Sequence, residues 1–161
     1  MKLPPALFFT VTLEQGYNNL QDDVDRVLKK LGRELKTHPL TLSGKDLQFK
    51  RCKWTGEKKL HIHSWLGDTE NYLLKDRESG LCTFKGLWNE HGHGTLDVEY
   101  FDYSRAWASR DYLFRHEWID NRTYCNRHQK CRRKGGCLYE QGKFQAPSLD
   151  ANHSTLLQAV R

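Results

Sequence analysis

His61-Ile62-His63 is the shortest stretch of this chain whose spacing suits metal chemistry. Neighbours alternate across a strand, so His61 and His63 share one face while Ile62 points into the core. Two imidazoles roughly 6–7 Å apart at their Cα atoms can converge on one divalent ion. The plainer alternative is a pair of surface histidines on a hairpin. A second pair, His91-Gly92-His93-Gly94, has no apolar residue between its histidines, and its glycines make it a loop. Cys125, His128, Cys131 and Cys137 lie within 13 residues and offer four N/S ligands, enough to close a structural Zn²⁺ site. Their spacing matches none of the common fingers, and incidental cysteines in a basic loop are the alternative.

Those residues need elements to hold them. Residues 7–13 (LFFTVTL) are aromatic and β-branched and read as a buried strand. Leu20, Val24, Val27, Leu28, Leu31 and Leu35 fall at offsets 0, 4, 7, 8, 11 and 15, one stripe of a helix that Pro39 closes. Asp22, Asp23 and Asp25 near its start and Lys29, Lys30, Arg33 and Lys36 near its end suit the helix dipole. Residues 47–54 and 59–66 read as a hairpin around the turn 55–58. Residues 68–79 are polar, a short helix or a loop. Residues 95–101 alternate as a strand, and 104–118 read as a helix carrying Tyr112. Beyond Asn121 no periodicity stands out, and 147–161 reads as a short terminal helix or a frayed tail. The order predicts an α+β fold, a central antiparallel sheet with flanking helices. The expected division is 1–120 as one folded domain and 121–161 as a basic, Cys/His-containing segment and tail.

Composition narrows the classes. The 161 residues include seven Phe, seven Tyr and five Trp, enough aromatic mass for a real core and too much for wholesale disorder. No run approaches the 18 or so apolar residues of a membrane helix. The apolar start is short and broken by Pro4-Pro5, unlike a signal peptide. Five cysteines, an odd number, argue against a closed disulfide framework. These features predict a protein of a cytoplasmic or nuclear-type compartment, with reduced thiols and no membrane partner. Net charge is +6. Residues 121–137 hold Arg122, Arg127, Lys130, Arg132, Arg133 and Lys134 and no acid, leaving 20 basic and 20 acidic residues elsewhere. A neutral body with one basic segment suggests a polyanion partner, most often nucleic acid. A solvated loop that only aids solubility is the bland alternative.

The ordered set Phe9-Thr10-Val11-Thr12, then His61-Ile62-His63, then Tyr112-Leu113-Phe114-Arg115 resembles the three motifs of the HUH endonucleases, the rolling-circle replication initiators and their relatives. Leu87-Trp88 followed by Gly94 and Val98 also looks like a run seen in such proteins. The resemblance covers residues 7–118. It implies an RRM-like nuclease fold and a Mg²⁺ or Mn²⁺ ion held by His61 and His63. It implies Tyr112 as nucleophile, forming a 5′-phosphotyrosine and a free 3′-OH on single-stranded origin DNA. Arg115 stands where the family has Lys; it can stabilise phenolate or phosphate, but a guanidinium does not transfer protons at ordinary pH. The family takes a third ligand from the strand before the His-x-His strand. Residues 47–54 hold no carboxylate, leaving Gln48 within them and Asp46 at their start. Related single-strand transposases take it from the tyrosine helix four residues on, here His116. Cys52 reads as a buried small hydrophobe. Tyr100, Tyr103 and Tyr124 are competing nucleophiles outside that helix. The resemblance places such a protein in the host cytoplasm of a virus, phage or plasmid, with self-association left open. The rival is a non-catalytic RRM-like module with a basic or zinc-binding tail, stacking bases on Phe9, Phe49 or Trp65; a transposase of the same superfamily is a third reading.

Overall fold

Leu7, Phe9, Val11 and Leu13 are all buried on one side of β2 (Leu7–Glu14), the strand their pattern predicts. The computed structural model describes residues 2–14, 19–46, 50–51, 56, 58–124 and 143–144. β2 lies near the middle of an antiparallel sheet of order β6-β2-β5-β3-β7, with β4 also on β5. The partners are β3 (Pro39–Lys45), β4 (Lys50–Arg51), β5 (Lys58–Asp68), β6 (Thr95–Tyr100) and β7 (Trp118–Thr123). A separate parallel pair joins β1 (Lys2–Leu3) to β8 (Lys143–Phe144). The fold is α+β with a central antiparallel sheet and flanking helices, as expected.

α1 (Leu20–Leu35) buries Leu20, Val24, Val27, Leu28 and Leu31 against the sheet. Each such side chain contributes roughly 1.5–3 kcal/mol on burial. Lys36 ends the helix in the left-handed region at φ 53°. α3 (Arg77–His91) packs beside it through Phe84, Leu87 and Trp88, so two helices cover one face. On the other face Trp65, Leu40 and Leu42 pack under Phe101, Leu113 and Phe144. Here α4 (Ala106–Leu113) lies across the sheet, preceded by a 3₁₀ turn, Tyr103–Arg105.

Several local expectations need correction. The helix expected over 104–118 stops at Leu113, and Trp118 opens β7, whose pairing with β3 claims the following residues. β3 begins at Pro39, in a stretch for which the sequence predicts no element. α3 runs where no helix is expected, and α2 (Tyr72–Lys75) is the short helix allowed for 68–79. Of the strand expected at 47–54, Lys50–Arg51 is described and pairs with Lys58 and Lys59 of β5. The boundary drawn after residue 120 falls within β7, whose Asn121, Arg122 and Thr123 pair with β3. The expectation for 147–161 lies outside the described residues. Among the described residues no helix is long and apolar enough to cross a membrane.

Candidate active site

The pairing register sets the geometry. His61 stands opposite Thr12, and His63 opposite Thr10 on one side and Gly44 on the other. Ile62 is buried, so both imidazoles leave the sheet on the face that α4 covers. Their ring centroids are 4.9 Å apart. The turn after α4 adds His116, 5.4 Å from the His61 ring and 4.8 Å from the His63 ring. One ligand nitrogen from each of the three lies within 4.8 Å of the others. Tyr112 presents its hydroxyl 3.0 Å from His63 Nε2. A glycine makes this approach fit: a Cβ on Gly44 would stand 2.4 Å from the Leu113 carbonyl oxygen and 3.0 Å from His116 Nδ1. Trp65 Nε1 donates to Ser109 Oγ at 2.7 Å and holds the middle of α4 down.

Hydrogen bonds place the protons. His116 Nδ1 lies 3.0 Å from the Tyr112 carbonyl and 3.2 Å from that of Leu113. Carbonyls only accept, so Nδ1 carries the hydrogen and Nε2 keeps its lone pair. His63 Nδ1 contacts Thr10 Oγ1 at 2.7 Å, and its Nε2 faces the Tyr112 hydroxyl. Burial, with help from neighbouring His61 and His116, pushes the His63 pKa down to about 3, against an opposing pull from Asp46. That imidazole is neutral and able to ligate at physiological pH. His61 Nε2 lies 3.2 Å from Asp46 Oδ2, a buried carboxylate. Burial raises the Tyr112 pKa, and the Asp46 charge raises it further. A cation here would oppose both effects. Three convergent imidazole nitrogens could hold a divalent cation, and they suit one that accepts nitrogen, such as Mn²⁺, better than Mg²⁺, which prefers oxygen.

The remaining sequence candidates fall elsewhere. Arg115 lies beyond the end of α4, exposed, its backbone N–H donating to the Tyr112 carbonyl at 3.3 Å. Tyr103 is buried, donates to the Pro5 carbonyl and has its pKa pushed up to about 12 by burial. Tyr124 is buried and donates to Asp25 Oδ1 at 3.0 Å, and burial raises its pKa too. Tyr100 is exposed on β6 under the Arg77 guanidinium. Among the described residues, Tyr112 is thus the tyrosine brought to the histidines. Arg122, expected to face DNA, pairs with Asp120 at 2.5 Å and Asp25 at 2.9 Å. His93, in the second histidine pair, binds Asp23 Oδ2 at 2.8 Å and ties α1 to the turn before β6. Arg127, Lys130, Arg132, Arg133, Lys134, Cys125, His128, Cys131, Cys137, Gln48 and Cys52 lie outside the described residues. Phe9 and Trp65 are buried, so neither can stack a base as the binding-module reading needs; Phe49 lies outside the described residues.

Sequence reading undervalues Asp46 and misses Thr10 and Gly44 as parts of this site. Pairing with His63 is the signal that finds them: Thr10 through the register of β2 and β5, Gly44 only once β3 is recognised. Compared with protein-family models, with curated proteins and with solved structures, the chain matches none.

Proposed function

We propose that this protein is a metal-dependent single-stranded DNA endonuclease of the HUH type, nicking and rejoining origin DNA to initiate rolling-circle replication. The observation that carries the reading is the Tyr112 hydroxyl, 3.0 Å from His63 Nε2 beside three convergent histidines. His61, His63 and His116, with Asp46 beside them, would hold Mn²⁺ or Mg²⁺. When bound, such a cation supplies a Lewis acid for the scissile phosphate. The Tyr112 and Leu113 carbonyls keep His116 in the tautomer that leaves Nε2 free to ligate. Tyr112 attacks phosphorus through its hydroxyl oxygen. The P–O3′ bond breaks, Tyr112 keeps the 5′-phosphate, and the released oxygen gains a proton as a 3′-OH. Rejoining reverses these steps. Arg115 suits holding phosphate charge rather than moving a proton. The basic residues between Arg127 and Lys134 would add phosphate contacts of low sequence content. In this reading the protein works in its host's cytoplasm, and a Zn²⁺ ion on Cys125, His128, Cys131 and Cys137 would be structural.

Incubation with single-stranded DNA and Mn²⁺ tests it. A covalent adduct should form, map to the peptide containing Tyr112, and vanish in Tyr112→Phe, while that variant keeps its DNA affinity. An adduct on Tyr100 would keep the nuclease class and remove this site. Reversible binding that ignores chelator, with no adduct under any divalent ion, would replace the proposal with the non-catalytic binding module.

A further inference from the structure

The face of the sheet that carries His61 and His63 is only half covered. Over β5 and β3, Trp65, Leu40 and Leu42 are buried beneath Leu113, Phe101 and Phe144. Over β2 and β6, beyond Phe8 at the edge of that cluster, no described residue packs on the same face. Directly paired residues share a face in an antiparallel sheet. The register pairs Phe8 with Glu99, Thr10 with Asp97 and Thr12 with Thr95. It also pairs Thr10 with His63 and Thr12 with His61. Thr95, Asp97 and Glu99 are exposed, and Phe8, Thr10 and Thr12 are half-buried. The result is a ledge two strands wide that starts at the histidines. Asp97 sits two strand spacings from His63, about 10 Å between Cα atoms.

The chemistry of this ledge is one-sided. It offers hydroxyls, two carboxylates and the Phe8 ring, which lies nearly parallel to His63 at 19° and 6.3 Å. None of these six side chains is cationic, so the ledge would repel a phosphate chain. Unpaired bases suit it. An ionised carboxylate only accepts hydrogen bonds, so it favours the exocyclic amines of cytosine, adenine and guanine. Thymine has no exocyclic amine there, only a single N3–H flanked by two carbonyl oxygens that face a carboxylate unfavourably. Phe8, half-buried against the Trp65 cluster and stacked on His63, borders those acceptors.

We propose that the open β2–β6 half of the sheet seats unpaired bases next to the scissile phosphate, with Asp97 and Glu99 selecting amine-bearing bases over thymine. The inference rests on the nuclease reading and adds the direction of its base preference. The sugar-phosphate chain then runs on the far side of the bases, away from the carboxylates.

The test is fluorescence anisotropy with labelled oligo(dC), oligo(dA) and oligo(dT) at several salt concentrations, on wild type and on Asp97→Asn/Glu99→Gln. Both side chains are exposed, so the fold should be untouched. Wild type should bind oligo(dC) and oligo(dA) roughly tenfold more tightly than oligo(dT). The double variant should lose affinity for oligo(dC) while gaining it for oligo(dT), because an amide also donates. The salt slope should stay unchanged. If all three oligonucleotides gain affinity alike, the carboxylates merely repel DNA and the inference fails. Equal binding of all three by wild type, unaltered in the variant, would mean that another partner such as a peptide strand uses the ledge; that also overturns the inference and leaves the nuclease reading standing. No binding of any oligonucleotide at low salt would defeat the nuclease reading itself.

Discussion

Gly44→Ala is the sharpest probe of how the tyrosine is placed. The added Cβ would lie 2.4 Å from the Leu113 carbonyl oxygen, where ordinary contact begins near 3.4 Å. The obstacle is backbone, so no rotamer change relieves it. Either β3 or the end of α4 must retreat by about 1 Å, the difference between those two distances. Overpacking of this kind costs roughly 1–3 kcal/mol. At this chain length that lowers Tm by about 2–12 °C. Tyr112 and His116 flank Leu113, so the same retreat lengthens the 3.0 Å contact between Tyr112 and His63. A 1 Å misplacement of reacting groups costs on the order of 100-fold in rate. Denaturant unfolding should show a lower midpoint with an unchanged slope, and adduct formation on single-stranded DNA should slow by about that factor. A variant as stable and as fast as wild type would refute the close approach. Lower stability with an unaltered rate would show that the strand yields instead and that Gly44 does not place the nucleophile.

Gly86→Ala should act in the opposite sense: this exposed position inside α3 has nothing within 4 Å of a Cβ, so the variant should gain roughly 0.5–1 kcal/mol in urea unfolding. Acid should weaken the fold through Glu70. Burial opposes its charge, but hydrogen bonds from Thr37, Thr69 and His38 outweigh it and hold its pKa at about 2, below the ordinary 4.5. A depressed carboxylate pKa stabilises the fold above 4.5, and that contribution is lost as pH falls towards 2. Neighbouring Asp68, raised mainly by burial, acts in the opposite sense, its contribution fading as pH rises. Chemical unfolding at stepped pH should therefore show a smaller loss of stability across that window in Glu70→Gln than in wild type, and equal losses would refute the assignment.

The sequence is most legible where one physical effect dominates. α1 shows its apolar stripe, and β2 and β5 their alternation, because half of each is pressed into one core. The paired histidines are visible for the same reason: strand geometry fixes their common face. β3 is hidden because Thr41, Ser43 and Lys45 are polar yet buried. Ser43 and Lys45 find partners only in three dimensions: Ser43 with Ser64 at 2.8 Å, Lys45 with Gln21 at 3.0 Å. α3 is hidden because Gly80 and Gly86 lower its helix propensity, while packing of Phe84, Leu87 and Trp88 stabilises it regardless. The Trp88 and Gly94 of the family-like run do meet, through Trp88 Nε1 and the Gly94 carbonyl at 3.3 Å. Gly94 has φ 79°, and a Cβ there would lie 2.3 Å from the Thr12 carbonyl oxygen. The overlong helix at 104–118 has a different cause. Nothing local announces that Trp118 must turn back to pair with Lys45.

β5 is hydrogen-bonded on both sides, to β2 along one edge and to β3 and β4 along the other. Its amides should exchange with solvent only through openings close to global unfolding. α4 is different: eight residues long, held by Leu113, Ala106 and the Trp65–Ser109 bond. Its amides should exchange through openings of lower free energy than those of β5. His61 and His63 are therefore fixed points, while Tyr112 and His116 ride together on the movable element. When α4 lifts, the phenol and one imidazole leave in a single motion, and the two imidazoles on β5 stay where they were.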